Sequence, residues 1–334
     1  MVNIGIPQMA FKVGQLPCAG VGLARTEFVL AEKIKIHPLA LYHYKEILNP
    51  KSLPCRQAGE IRNKSQILNS KFKTIIKRID ELTIGYKDKE RFFVDKMAEG
   101  MAQIATAFWP RPVIIRLSDF KTNEYRALIG GDVFEPEEQN PMLGLRGASR
   151  YYDPKFQPGF EMECQAIKKA RVEWGLKNIW LMVPFCRTIE EGEGVLALLK
   201  KNGLENNREF KVIVMAEIPS NIILADRFLD IFDGMSIGSN DLTQLVLGID
   251  RDNAQLANSA DERNKAVKTM IAALIKKCRQ RNKYIGICGD APSTFPDFTK
   301  FLVKQGIESI SVNPDALVKT ILNINKIEKN KKGS

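Results

Sequence analysis

Residues 211–241 read KVIVMAEIPSNIILADRFLDIFDGMSIGSND, and this stretch decides the architecture. An apolar run rich in Val and Ile, 211–217, stops at Glu217. Pro219 then opens a segment whose apolar spacing near three and four predicts a helix over 219–229. A second apolar run, 234–238, ends against the polar Ser239, Asn240 and Asp241. Short, nearly continuous apolar runs suit parallel strands covered on both faces, and a strand, a helix and a strand in succession make a βαβ unit.

The same alternation extends in both directions. Further apolar runs lie at 2–6, 20–25, 113–117, 179–184, 284–289 and 309–312, and helical spacing recurs at 190–201, 262–281 and 296–305. Eight strand candidates alternating with helices predict an α/β fold, a (β/α)8 TIM-like barrel; an open doubly wound sheet is the alternative, because periodicity does not reveal closure. Residues 38–108 are too long for one crossover. Helical patterns at 61–84 and 88–108 make this stretch a helical excursion, read as an αα-hairpin arm. Residues 123–152, rich in Gly, Pro and charge, are read as an inserted active-site loop. The barrel is expected to occupy 1–327 and a basic, disordered tail 328–334.

Composition narrows the function classes. With 44% hydrophobic and 27% charged residues, the 334-residue chain can bury a core, which excludes disorder. No apolar run approaches the roughly 20 residues that cross a bilayer, and the start lacks the pattern of a signal peptide, so a cytoplasmic location is expected. The six cysteines form no Cys-x-x-Cys pair and offer neither a zinc knuckle nor a disulfide framework. The net charge of +11 is concentrated: residues 45–91 hold 12 Lys/Arg against 6 Asp/Glu, and residues 319–334 hold 5 against 1. No aromatic interleaving accompanies it, so it reads as solvated faces and no nucleic-acid partner is expected. His37 and His43, at the start of a helical stretch, are read as structural.

In a barrel, polar residues at the C-terminal ends of strands are the functional suspects. Here that set is Arg25, Arg116 with Asp119 close behind, Glu217, Asn240 with Asp241, and Cys288, joined by Arg146 of the inserted loop. Each has an ordinary structural reading: a strand-end arginine as an ion-pair partner, Glu217 and Asp241 as acids at helix starts, Cys288 as a small buried apolar residue. Together they describe more. Two carboxylates at adjacent strand ends offer hard oxygen ligands for Mg²⁺, several arginine forks suit a phosphate and a carboxylate, and a thiol can exchange a proton with carbon. The set points to a small phosphorylated carboxylate handled through an enolate.

Three stretches carry a family resemblance. DGMSIGSNDLTQLVLGIDR (233–251) is similar to a long signature of the PEP-utilizing enzymes, and RLSDFKTNEY (116–125) and NPMLGLRGASRY (140–151) resemble the phosphoenolpyruvate synthase branch. GIESISVNPD (306–315) also fits, and the resemblance runs from Met1 to about Ile327. It implies that Arg25, Arg116 and Arg146 hold the phosphoryl group and the developing enolate. By the same resemblance Glu217 and Asp241 are Mg²⁺ ligands, Ser236 and Asn240 contact substrate, and Asp119 stands beside the phosphate site. Cys288 is implied as the general acid/base at the methylene carbon; following an apolar run, its side chain is expected to reach the barrel mouth, with the thiolate favoured near Mg²⁺ and the arginines. After Cys288-Gly289 the family pattern expects Gln or Glu and then a small residue or His; Asp290 and Ala291 stand there instead, which puts the substrate end of that loop in question.

The implied reaction passes a phosphoryl group from a phosphohistidine to pyruvate enolate, giving phosphoenolpyruvate. Neither His37 nor His43 lies in a phosphohistidine motif, and no ATP-binding region is present. The chain therefore reads as an isolated C-terminal domain whose partners are the phosphohistidine and ATP-binding domains, and a homodimer is implied. An enzyme I-like phosphotransferase barrel and a non-catalytic phosphoenolpyruvate-sensing or dimerisation module are the alternatives.

Overall fold

The structure is a computed structural model, and it describes residues 1–49, 65–250, 253–256 and 259–332, without the side chains of 65–69 and 331–332. Eight strands follow the apolar runs: β1 (Val2–Ile4), β2 (Val21–Arg25), β3 (Val113–Arg116), β4 (Ile179–Val183), β5 (Val212–Ala216), β6 (Gly234–Ile237), β7 (Tyr284–Ile287) and β8 (Ser309–Ile310). Each is parallel to the next, in the order β1 to β8. A parallel bridge between Val2 and Val312, and the Asn3 N–H donated to the Val312 carbonyl at 2.9 Å, bring the last strand back to the first. This is the barrel rather than the open sheet.

Strand alternation sorts the side chains into two cores. Leu23, Ile114, Met182, Ile213, Met215, Tyr284 and Cys288 fill the barrel itself. Val113, Ile115, Leu181, Val183, Val212 and Val214 point outward and belong to the larger core shared with the helices. Burial of such a side chain contributes about 1.5–3 kcal/mol. The same alternation carries Arg25, Arg116 and Glu217 to the inner face at the C-terminal rim.

The excursion differs from its expected form. The helix Lys89–Phe108 is no projecting arm: Phe92, Phe93, Met97, Met101, Ile104 and Phe108 are buried, and it serves as the barrel helix between β2 and β3. Its apolar stripe is wide enough to cover the sheet, which an exposed hairpin would not need. The added elements are the helices Pro38–Tyr42, Tyr44–Leu48 and Ser65–Leu82. Residues 50–64, with Cys55 and part of the basic stretch, lie outside the described residues, as does Arg251.

The tail is also corrected as far as Lys332. A helix spans Leu317–Lys332 and continues through the expected boundary at 327, because Leu317, Ile321, Ile324 and Ile327 pack on the core. Residues 333 and 334 are outside the described set. Among the described residues, no helix is long and apolar enough to cross a membrane. The structural reading of His37 is borne out: its Nδ1 caps the helix Pro38–Tyr42 by accepting from Leu39 N–H at 3.2 Å, and its Nε2 meets Glu135 at 3.0 Å.

Candidate active site

The rim of the barrel gathers three buried carboxylates. Asp119, Glu217 and Asp241 each bring an oxygen within 4.8 Å of the others. Glu217 follows β5 in a turn fixed by Asn221, whose Oδ1 accepts from the N–H groups of Glu217 at 3.2 Å and Ile218 at 3.0 Å. Asp241 sits in the first turn of the helix Ser239–Leu247, where the macrodipole favours an anion. Gly238 lets the two approach, since a Cβ there would lie 2.9 Å from both Glu217 Cβ and Oε2. Asp119, expected beside a phosphate site, joins the carboxylate cluster, with its N–H held by Glu27 Oε1.

Two arginines hold this cluster, Arg116 of them as the ordinary reading of a strand-end arginine anticipates. Arg146 donates from Nε and Nη2 to the two Asp119 oxygens at 3.1 and 2.7 Å, and from Nη2 to Asp241 Oδ2 at 3.1 Å. Arg116 reaches Asp119 Oδ2 at 3.3 Å through Nη1. Burial opposes ionisation of Asp119, yet Arg146 and Arg116 hold its carboxyl below the usual range. Glu217 goes the other way: burial first, then Asp241 and Asp119 nearby, push its carboxyl well above the usual range. Arg25 ends β2 in register with Arg116 of β3, half-buried at the same rim.

Cys288 lies lower than expected. The thiol should reach the open mouth with its thiolate favoured; instead it is 4% exposed and packs into the inner core. The Ser236 hydroxyl donates to its Sγ at 3.5 Å, and Sγ is 3.6 Å from the Ile237 carbonyl. Burial pushes the thiol up to about 11, and the lowering effect of Ser236, Arg116 and Arg25 does not offset it. Alternation along β7 explains the position: Tyr284, Gly286 and Cys288 all face inward. The questioned Asp290 contacts a candidate residue directly. Asn240 Nδ2 donates to Asp290 Oδ2 at 2.6 Å, and Asp290 N–H donates to Asn240 Oδ1 at 3.1 Å.

The sequence reading missed two groups in the arrangement. Glu27 Oε1 accepts from Arg116 Nη2 at 2.9 Å and from the Asp119 N–H at 2.7 Å, so it sets both. Its place two residues past Arg25 was the available signal. Glu163, fully buried on the helix Gln157–Lys168, accepts from the Ser118 N–H at 2.9 Å and from the Ser118 hydroxyl, and burial raises its carboxyl to about 7. Nothing in local sequence marks it. The whole array offers hard oxygen donors on one side, guanidinium groups around them and a protonated thiol beneath.

Comparison with known proteins gives the family. The model of the PEP-utilising enzyme, PEP-binding domain family matches residues 1–329. The chain is 51% identical to the phosphoenolpyruvate synthase of Aquifex aeolicus, over 98% of this chain and 41% of that protein. It is 49% identical to that of Synechocystis sp., over 98% of the chain and 38% of the relative, and 42% identical to that of Escherichia coli, over 98% and 39%. It thus spans about two fifths of the length of the curated relatives it matches. The match over nearly its whole length assigns the chain to the PEP-utilising enzymes, as a PEP-binding domain of that family.

Proposed function

We propose that this chain is the pyruvate/phosphoenolpyruvate-binding barrel of a phosphoenolpyruvate synthase, in which phosphoryl transfer to pyruvate enolate takes place. The observation that carries the reading is the cluster of Asp119, Glu217 and Asp241, three buried carboxylates within 4.8 Å, with Arg116 and Arg146 on it. Three crowded carboxylates, one of them pushed toward its neutral form, fit a hard divalent cation. Glu217 and Asp241 would hold Mg²⁺, with Asp119 in reach. When bound, the ion would offset the negative charge of a carboxylate and enolate oxygen.

The chain's own residues supply the rest. Arg25, Arg116 and Arg146 offer the fork geometry that a phosphoryl group and a carboxylate accept, and they stabilise charge that grows in the transition state. Ser236 and Asn240 contact the substrate. Cys288 holds a proton on Sγ and gives it to the methylene carbon of the enolate, or, as thiolate, removes it from the pyruvate methyl group. The phosphohistidine and ATP-binding domains, and a homodimeric state, belong to the same proposal. The test is exchange of pyruvate methyl protons with D₂O in the presence of Mg²⁺, which needs no phosphoryl donor. Exchange that depends on Mg²⁺ and on Cys288 supports the reading; failure to bind pyruvate or oxalate, an enolate mimic, with Mg²⁺ present removes it.

A further inference from the structure

Phe185 follows β4 with φ at 42°, a left-handed conformation that bulky residues rarely adopt, and it is 2% exposed. Such a conformation persists only where the surroundings hold it. Two contacts depend on it. Turned this way, the main-chain N–H donates to Glu217 Oε1 at 2.7 Å. The ring lies against the Arg146 guanidinium, with Cζ 4.1 Å from its centroid, and Arg187 Cζ stands 4.8 Å from the same ring. Phe185 thus touches one carboxylate of the cluster through its backbone and the other two through Arg146.

The inserted loop is shaped to this ring. Gly147 has φ at 60°, and a Cβ there would come within 2.6 Å of Phe185 Cβ. The next residue, Ala148, donates its N–H to the Pro184 carbonyl at 3.1 Å. Arg187 fastens the loop on the far side, donating to Ser149 Oγ at 3.0 Å and to the Gly144 carbonyl at 2.6 Å. The segment that carries Arg146 is therefore seated on Phe185 from both flanks.

We propose that Phe185 is a positioning residue of this site. Its ring face sets the Arg146 guanidinium across Asp119 and Asp241 while its N–H fixes Glu217, so that arginine and carboxylates are aligned before a ligand arrives. A desolvated guanidinium over an aromatic face is the setting in which cation–π attraction is strongest. The inference rests on the proposed roles of Glu217 and Arg146.

The experiment separates the π face from mere volume. Phe185→Leu keeps an apolar side chain and the main-chain N–H but removes the face; Phe185→Tyr restores it. Phenylalanines with one, two and three ring fluorines at position 185 weaken the face stepwise at nearly constant shape. The readouts are calorimetric affinity for oxalate with Mg²⁺ and solvent exchange of the Arg146 Nε–H by NMR, assigned with Arg146→Lys. Phe185→Leu should weaken oxalate binding about three- to thirtyfold. Phe185→Tyr should stay near wild type, and the fluorinated series should fall in steps with unchanged thermal unfolding. Wild-type affinity in Phe185→Leu and in the trifluoro protein overturns the inference. If the wild-type protein binds no oxalate, the functional reading fails by itself, and the NMR arm decides for Phe185. Faster Arg146 exchange in Phe185→Leu than in wild type supports the inference, and equal exchange overturns it.

Discussion

Glu27 Oε1 stands 2.9 Å from Arg116 Nη2 and spends its charge on that guanidinium, with both groups largely shielded from water. The same oxygen also receives the Asp119 N–H at 2.7 Å. One carboxylate two residues beyond β2 therefore orients an arginine at the end of β3 and the loop after it.

Removing that carboxylate should be felt at the site. Glu27→Ala leaves Arg116 without its shortest partner and should weaken Mg²⁺-dependent oxalate binding by tenfold or more, with a loss of about 3 kcal/mol in stability. Glu27→Gln keeps an acceptor for Asp119 and should lose less on both counts. Calorimetry and chemical denaturation of the two variants check this, and equal behaviour of both with wild type contradicts it.

Glu217 should show a trade between stability and binding. Burial and two neighbouring acids disfavour its charge, so Glu217→Gln should stabilise the metal-free protein, by about 1–3 kcal/mol, while Phe185 N–H keeps its acceptor. The same change should abolish Mg²⁺-dependent oxalate binding. A variant that binds oxalate with wild-type Mg²⁺ dependence removes Glu217 from the ligand set.

Cys288 yields a prediction with a pH sign. Burial holds the thiol up to about 11, and only the thiolate removes a proton from carbon, so methyl-proton exchange should rise steadily with pH from 7 to 10. Cys288→Ser should abolish exchange while keeping oxalate affinity. Cys278→Ser, on the helix Lys265–Gln280 and away from the rim, should exchange like wild type. In a chain that also carries the proposed phosphohistidine and ATP-binding domains, exchange by Cys288→Ser at the wild-type rate refutes the assignment.

Glu163 makes stability itself depend on pH. Its folded-state value, about 7, is above the ordinary 4.5, so between these values the folded protein binds more protons than the unfolded one. Stability contributed by this group is present below about 4.5 and is lost as pH rises toward 7, on the order of 3 kcal/mol in all. Glu163→Gln should therefore gain on wild type between pH 5 and 8 in denaturation midpoints. A constant difference across that range shows that the carboxyl does not titrate there.

The chain alone should make no phosphoenolpyruvate from ATP and pyruvate, because no phosphohistidine motif accompanies either of its histidines. Product formed by the purified chain, followed by ³¹P NMR, would falsify the proposed division of labour.

The strands and their rim residues were legible because β alternation is local: Arg25, Arg116 and Glu217 stand where runs of Val and Ile end. Arg146 was legible as a charge in a loop, but its bridge from Asp119 to Asp241 depends on how residues 123–152 fold over the rim. Phe185 was invisible, and Glu27 was marked only by its place two residues past Arg25, for a related reason. Each acts on a residue from another strand, and pairing across a barrel leaves no trace in spacing. The depth of Cys288 was misjudged because a strand end says which way a side chain points and not how far the rim stands above it.

The seam between β1 and β8 has a kinetic consequence. Val2 pairs with Val312, and the Asn3 side chain donates to the Cys288 carbonyl at 3.2 Å, so these contacts join opposite ends of the chain. Contacts so distant in sequence form late, since the loop they close must first be ordered. Strands β2 to β7 can add one after another, each to its predecessor, but the barrel cannot shut until the final strand has arrived. The seam should then be the slowest part of the sheet to gain protection from hydrogen exchange during refolding. The thiol at position 288, tied to that seam through its own carbonyl, should be among the last groups to reach its working position.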